Sequence, residues 1–475
     1  MTGERKSGEA EARQLEAYFD RLWPLLRSLT GEGVRATHDI LGELLPLTRF
    51  EVPSGTKVLD WTVPREWRVR EAYIVGPDGR RRLDVRSNNL HLLNYSVPFR
   101  GRLSRQDLDA HLYSLPELPE AVPYITSYYQ DRWGFCLSHR ERLALPEGDY
   151  EVVIDSELVE GSMTISEAVL PGEAAEEILL SCYTCHPSLA NNELSGPLVL
   201  SHLYRRLAAR PRRRYTYRFV LVPETIGSIA YLSLKGSHLL HRMAAGYIIN
   251  CVGTEGAFHL KQTRRGDSPA DRAAAAVLGE DAADRLEVIP FRPDRGSDER
   301  QYNSPGFNLP VASLMRCPPS SYPEYHSSLD NKDFVSFPAM VETIGIYEKI
   351  CGALEANLVY RNLKPFGEPQ LGRRGLYSTL GDRSRPIDRS ALLWVLNLAD
   401  GTKDLLSIAE QSGLPWSEIA RAAERLQEAE LIAACDPQDA RPGEPLFGDF
   451  QTVKLEAYEV APPAGPRRAK ARNRR

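Results

Sequence analysis

Between residues 170 and 360 strand-like apolar runs take turns with helical patterns, and this alternation limits the fold more than any other feature. The order is strand 177–184, helix 194–209, strand 215–222, helix 228–242, strand 245–252, helix 268–279, strand 310–315 and helix 337–356. Such a rhythm predicts a mostly parallel sheet covered by helices, because a parallel strand needs a crossover to rejoin its sheet. Two of the runs close on chemistry-bearing side chains: Glu177-Ile-Leu-Leu-Ser-Cys-Tyr-Thr-Cys-His186 and Tyr217-Arg-Phe-Val-Leu-Val-Pro-Glu224. A third, Leu309-Pro-Val-Ala-Ser-Leu-Met315, leads toward Glu324-Tyr-His326. Ligands of open α/β sheets gather outside the carboxyl ends of the strands, so His186, Glu224 and His326 are expected to face one site. Two imidazoles and a carboxylate suit zinc and leave a coordination position for water, which points to a hydrolase.

The rest of the chain sets the organisation. Residues 9–48 carry helical spacing, with Leu15, Tyr18, Phe19, Leu22, Leu25 and Leu26 on one face. From about 50 to 165, short β-like runs such as Val69–Val75 and Asp149–Asp155 alternate with turn signals such as Gly76-Pro-Asp-Gly79. Between about 385 and 445 three short helical patterns precede Leu431-Ile-Ala433, as in a winged helix. The expected division is N-terminal helices joining the core (1–50), a β-rich insert (51–165), the α/β core (166–365), a winged-helix domain (380–445) and a basic disordered tail (460–475). A length of 475 residues accommodates this many parts.

Charge and composition exclude several classes. A net charge of −5 argues against a protein that coats nucleic acid. The expected recognition helix, residues 416–430, carries four Glu against two Arg, and phosphates would repel it, so no specific nucleic acid is expected as partner. No apolar stretch approaches the roughly 18 to 20 residues of a membrane span. The start, Met1-Thr-Gly-Glu-Arg-Lys6, runs into a charged helix, so a cytoplasmic location with seven reduced Cys is the expectation. Cys182-Tyr-Thr-Cys-His186 matches a haem-attachment pattern and a redox pair, but it closes an apolar run and no export signal accompanies it. Both readings are set aside. The insert plus an extra C-terminal module favours self-association into a homo-oligomer.

His186-Pro-Ser-Leu-Ala-Asn-Asn-Glu-Leu-Ser-Gly196 resembles the first metal motif of the co-catalytic zinc aminopeptidases, a strand-end His before an acidic Asp-Asn-x-Ser-Gly loop. Val222-Pro-Glu-Thr-Ile-Gly-Ser228 is similar to that family's glutamate motif. Gly296-Ser-Asp-Glu-Arg300 with Pro305–Pro310 resembles its Ser-Asp-His stretch, and Tyr325-His-Ser-Ser-Leu-Asp-Asn331 its final ligand motif. More narrowly, the layout looks like bacterial aminopeptidase-like proteins linked to polysaccharide or secondary-metabolite biosynthesis, over about 430 residues. The resemblance implies a zinc-exopeptidase-like fold: a mostly parallel sheet flanked by helices, with the β-rich insert and a small winged helix appended.

Departures from that pattern matter equally. The resemblance puts an aspartate bridging two zincs at Asn192, a second aspartate near Gly253-Thr-Glu255, and an acidic residue at Ser188. Two divalent ions roughly 4 Å apart need that negative charge. Glu193 and Glu255 stand beside the losses, so the ligand register has moved by one residue, or one metal binds, or none does. One zinc held by His186, His326 and a carboxylate from Glu193 or Glu224 is preferred; an altered two-metal site and a metal-free binding fold stay open. Glu224 would serve as general base. Asp298 and Glu299 could bind a substrate ammonium, and Arg300 or Tyr302 a carboxylate or the oxyanion. The implied reaction is hydrolysis of an amide next to a free amine in a small or peptide-like substrate. Each residue has a plainer reading: Glu224 or Glu193 as a helix-terminus charge, Asp298–Arg300 as a surface ion-pair cluster, and either His as a satisfied core group.

Overall fold

The computed structural model describes residues 2–376 and 389–435. Of these, residues 2–358 with 404–420 form one compact unit, and 359–376, 389–403 and 421–435 form a second. The first is built on an eight-stranded sheet. Its centre is four parallel strands lying side by side in the order Thr216–Val222, Glu177–Tyr183, Met243–Ile249 and Val311–Met315. Each is almost wholly buried, as expected for parallel strands covered on both faces. The crossovers are the helices Ser195–Ala208, Ile226–Arg242 and Pro269–Asp281, and Phe337–Ala356 packs on the same sheet after the last central strand. All of these lie within a few residues of the expected spans.

The sheet is wider than the sequence suggests. Ser162–Leu170 pairs antiparallel with Thr216–Val222, and Thr48–Pro53 pairs antiparallel with Ser162–Leu170. Both segments fall at the margins of the expected insert, yet they belong to the large sheet. Ser162–Leu170 hides because it buries polar groups: Glu167 is 6% exposed and meets Arg218 of the adjacent strand at 2.6 Å. Arg218 also reaches Glu177 at 2.7 Å, so three neighbouring strands are joined by one buried ion network. At the other edge Phe258–Lys261 and Leu286–Ile289 are only four residues each and carry polar side chains, so they lack a clear apolar period.

The insert contributes its own four-stranded antiparallel sheet, ordered Arg81–Arg82, Glu66–Val75, Asp149–Val159, Phe99–Ser104. It shares a hydrophobic core with the large sheet: Trp67, Ile74 and Val152 join Leu179, Val220 and Ile248 in one cluster. An irregular excursion from it carries Pro123 and Tyr124 to the loop of His326, where Pro123 bridges Ser327 and the Tyr124 N–H donates to the His326 carbonyl at 2.7 Å.

In the second unit, Val359–Asn362 is the middle strand of a three-stranded sheet with Asp400–Asp404 and Ile432–Ala434. Helices Arg389–Leu398, Leu405–Ser412 and Trp416–Glu428 lie where the three C-terminal patterns were expected. The expected basic tail, 460–475, lies outside the described residues, as does the end of the winged-helix span beyond 435. No helix of the described residues is long and apolar enough to cross a membrane.

Candidate metal centre

Neighbouring parallel strands release their ends at the same edge, and that edge collects the side chains. His186 comes three residues after Tyr183 ends its strand, and Glu224 two residues after Val222 ends the next. The Thr184 N–H still bonds the Val222 carbonyl at 2.9 Å, keeping the two chain ends together. Helix Ser195–Ala208 starts hard against the third strand. A Cβ on Gly196 would stand 2.4 Å from the Ile249 carbonyl oxygen, so only glycine permits the approach. His326 arrives on the loop after Val311–Met315, its ring stacked on Tyr325 with centroids 3.9 Å apart.

His186 meets Glu224, and the His326 ring lies near that of His186. The imidazole centroids are 5.4 Å apart, and His186 Nε2 lies 3.6 Å from Glu224 Oε2. Two zinc ligands at about 2.0–2.2 Å in tetrahedral geometry are themselves about 3.4 Å apart, so the spacing of His186 and Glu224 suits one shared ion. The other Glu224 oxygen accepts from Ser297 Oγ at 2.6 Å. Thr225, Cys251, Ser188 and His326, none of them glycine, have φ between 44° and 64°. Left-handed backbone at such residues concentrates at functional sites, where the surroundings must hold it in place. Here the Thr225 N–H donates to Asp298 at 2.6 Å, and the Cys251 and His326 carbonyls accept from Arg316 and Tyr124.

Glu193 takes the other side of His186. Its Oε2 accepts from the His186 backbone N–H at 3.0 Å and lies 3.0 Å from Nδ1. A carboxylate on Nδ1 fixes the ring and directs Nε2 toward Glu224, the arrangement that commonly supports a metal-bound histidine. Arg27, fully buried, donates to the His186 carbonyl at 2.8 Å and stands 3.8 Å from Glu193. Burial raises the Glu193 pKa. It also opposes protonation of His186, but Cys185 and Glu193 beside Nδ1 outweigh it and raise the His186 pKa. Burial, with the charge on His186, lowers His326 to about 3 and keeps it neutral.

These donors fit a metal ion. His326 Nε2 is buried without a hydrogen-bond partner, and a buried polar nitrogen left unpaired calls for an unseen partner. Among the described residues, Cys185, His186 and Glu193 are the group whose ligand atoms all lie within 4.8 Å of one another; His186, Glu224 and His326 are spaced more widely. The positive Arg27 beside Glu193 disfavours a cation there, whereas His186 Nε2 meets the Glu224 carboxylate on the other side of the ring, near neutral His326.

The remaining candidates are placed differently. Glu299 is fully buried, forms a 2.6 Å ion pair with Lys261, and accepts from the Ser297 N–H, so its charge is already matched and it does not present itself to a substrate. Tyr302 is 0% exposed in the hydrophobic core and cannot touch an oxyanion in the cleft. Asp298 is also sealed; its Oδ1 holds Thr225, and burial together with nearby Glu224 raises its pKa to about 8. Of the expected substrate-binding group only Arg300 stays partly exposed, its Nε donating to the Ser297 carbonyl at 3.0 Å. Glu255 is exposed and accepts from Ser336 at 3.0 Å, so it does not stand in for a missing aspartate.

Sequence reasoning missed Tyr124, whose ring lies 5.0 Å from His186 and 5.2 Å from His326. It comes from the insert, and no local pattern links residue 124 to a loop two hundred residues later. It also missed Ser297, although the Ser-Asp stretch containing it had been singled out.

Comparisons with known proteins identify the family and the fold. The family model described as a domain of unknown function, DUF4910, matches residues 16–357, and a winged helix-turn-helix model matches 358–434. A Clostridium acetobutylicum protein, provisionally named a polysaccharide biosynthesis protein with an aminopeptidase-like domain, is 42% identical over 416 residues, covering 87% of this chain and 94% of the relative. A crystal structure from Clostridium acetobutylicum, provisionally described as a peptidase, superposes with a TM-score of 0.85 at 39% identity over 92% of this chain and 100% of that one. A zinc aminopeptidase from Bacillus subtilis shares the fold at 14% identity, TM-score 0.52, over 71% of this chain and 93% of its own. The chain therefore belongs to the DUF4910 family, with a zinc-aminopeptidase-like α/β fold and a C-terminal winged helix-turn-helix.

Proposed function

We propose that this protein is a peptidase-like, metal-dependent hydrolase that cleaves an amide next to a free amine in a biosynthetic intermediate. The observation that carries the reading is the unpaired, buried Nε2 of His326, on a ring 5.4 Å from that of His186, whose own Nε2 meets Glu224. The aminopeptidase-like fold supports it, and the Clostridium relative's name supports a biosynthetic setting. A zinc ion held by His186, His326 and Glu224 would supply a Lewis acid and bring the acidity of water near neutral pH. Glu193 holds the His186 ring so that Nε2 faces the cleft. Ser297 anchors Glu224, which takes a proton from the attacking water and returns it to the leaving amine. Asp298, buried beside Glu224, holds the backbone turn that carries it by accepting from the Thr225 N–H. Arg300, at the rim, binds a carboxylate on the substrate.

The test is Glu224→Gln assayed on a panel of aminoacyl amides and anilides, with zinc content measured beside turnover. Turnover is expected to vanish: retained zinc assigns Glu224 as base, lost zinc assigns it as ligand, and unchanged turnover removes it from the mechanism. A second reading, a peptidase-shaped protein that only binds an amine-bearing ligand, draws on neutral Asn192 where the resemblance puts a carboxylate. Tight binding of such ligands with zinc absent and no turnover would establish it.

A further inference from the structure

Tyr183 ends the central strand with its side chain 2% exposed and its ring centroid 5.3 Å from that of His186. Its hydroxyl donates to Asn192 Oδ1 and accepts from Asn250 Nδ2 at 3.2 Å. Asn250, the first residue after strand Met243–Ile249, accepts in turn from Ser313 Oγ at 3.3 Å. The Cys251 thiol donates to the same Asn192 oxygen at 3.5 Å. A chain of neutral groups thus crosses the carboxyl edge of three adjacent strands: a phenol, two amides and a hydroxyl. We propose that Tyr183, Asn192 and Asn250 form a neutral strut that closes the position of a second metal ion, so that the centre takes one divalent cation and not a co-catalytic pair.

Two arguments carry this. The first is occupancy. The Asn192 side-chain oxygen already receives two donors, so it has no lone pair left for a cation, and both amides are 1–2% exposed. The second is charge. Two divalent ions repel strongly at co-catalytic distances and need anionic oxygens between them. Among the described residues, the carboxylates near the strut are committed elsewhere. Asp330 accepts from the backbone N–H groups of Asn191 at 2.6 Å and Asn192 at 2.8 Å. Glu193 has one oxygen on His186 Nδ1 and the other, without a hydrogen bond, 3.8 Å from the Arg27 guanidinium that already balances its charge, and Glu255 faces solvent. The strut also ties Asn192, just before helix Ser195–Ala208, to Asn250 on the neighbouring strand, so the loop that carries Glu193 is held without a second ion.

The inference rests on the metal-dependent reading above, and one experiment separates the two. The full chain is saturated with zinc, freed of excess by gel filtration and analysed for metal, beside a His326→Ala variant. One zinc per chain in the native protein and none in His326→Ala is expected. Two per chain would overturn the strut while leaving a metal-dependent site intact, and none would overturn both. The Tyr183→Phe/Asn192→Asp/Asn250→Asp variant, folded by circular dichroism, is expected to rise to two. A folded variant that stays at one refutes the strut as the cause. Should that variant not fold, Tyr183→Phe/Asn192→Asp makes the same comparison, and the native count decides alone.

Discussion

Glu193→Gln isolates the support given to His186. In the native protein the carboxylate oxygen lies 3.0 Å from both the His186 N–H and Nδ1, in a pocket that is fully buried. Glutamine preserves the shape but removes the charge, and hydrogen bonds to an ionised acceptor are roughly twice as strong as neutral ones. The amide can also turn its NH2 toward Nδ1, which would place the ring proton on Nε2, the atom needed for the metal. Loss of such a supporting contact weakens metal binding by about 10–100-fold. That corresponds to about 1.4–2.8 kcal/mol. Zinc affinity measured by competition with a calibrated chelator reads this directly. The melting temperature of the metal-free variant provides a control, because Arg27 also loses its counter-charge at 3.8 Å. An unchanged zinc affinity in a folded Glu193→Gln protein would refute the orienting role. Complete loss of zinc would make Glu193 a ligand instead.

Three further outcomes are expected. Arg218→Met leaves Glu167 and Glu177 buried without their guanidinium, at 2.6 and 2.7 Å, and should destabilise the fold by about 3–5 kcal/mol in urea titrations; a change below 1 kcal/mol would contradict the network's role. His38 is fully buried between Ser166 and Thr184, and burial lowers its pKa to about 3, so the unfolded chain binds a proton that the folded chain refuses. Stability should therefore fall as pH drops below about 6.5, by about 2 kcal/mol between pH 7 and 5. His38→Gln should lose that part of the pH dependence, and equal dependence in both proteins would refute the assignment. Tyr124→Ala removes the ring packed on both histidines and should weaken zinc binding by about tenfold, whereas Tyr124→Phe should bind normally; equal losses would assign the effect to the hydroxyl.

The core of the fold was legible because buried parallel strands are continuous apolar runs, and the intervening helices set their order. The meeting of His186 and Glu224 followed from that order, since neighbouring strand ends share an edge. Roles at short range were harder to read. Asp298, Glu299 and Arg300 are consecutive, yet Asp298 is sealed against the Thr225 backbone, Glu299 pairs with Lys261 and Arg300 stays partly exposed; turn geometry sorts them, and no spacing encodes it. Strand Ser162–Leu170 was hidden because its buried Glu167 reads as a surface residue until its partner Arg218 is known. Tyr124 was out of reach for a related reason, being joined to the site through long-range contacts, the Pro123–Ser327 bridge and its own N–H bond to the His326 carbonyl.

Anomalous scattering at the zinc edge, from crystals of the zinc-loaded protein, tests the central claim most directly. A single peak should lie about 2 Å from the Nε2 atoms of His186 and His326, with Glu224 on the same ion. A peak on the Nδ1 side of His186 among Cys185 and Glu193, or no peak at all, would contradict it.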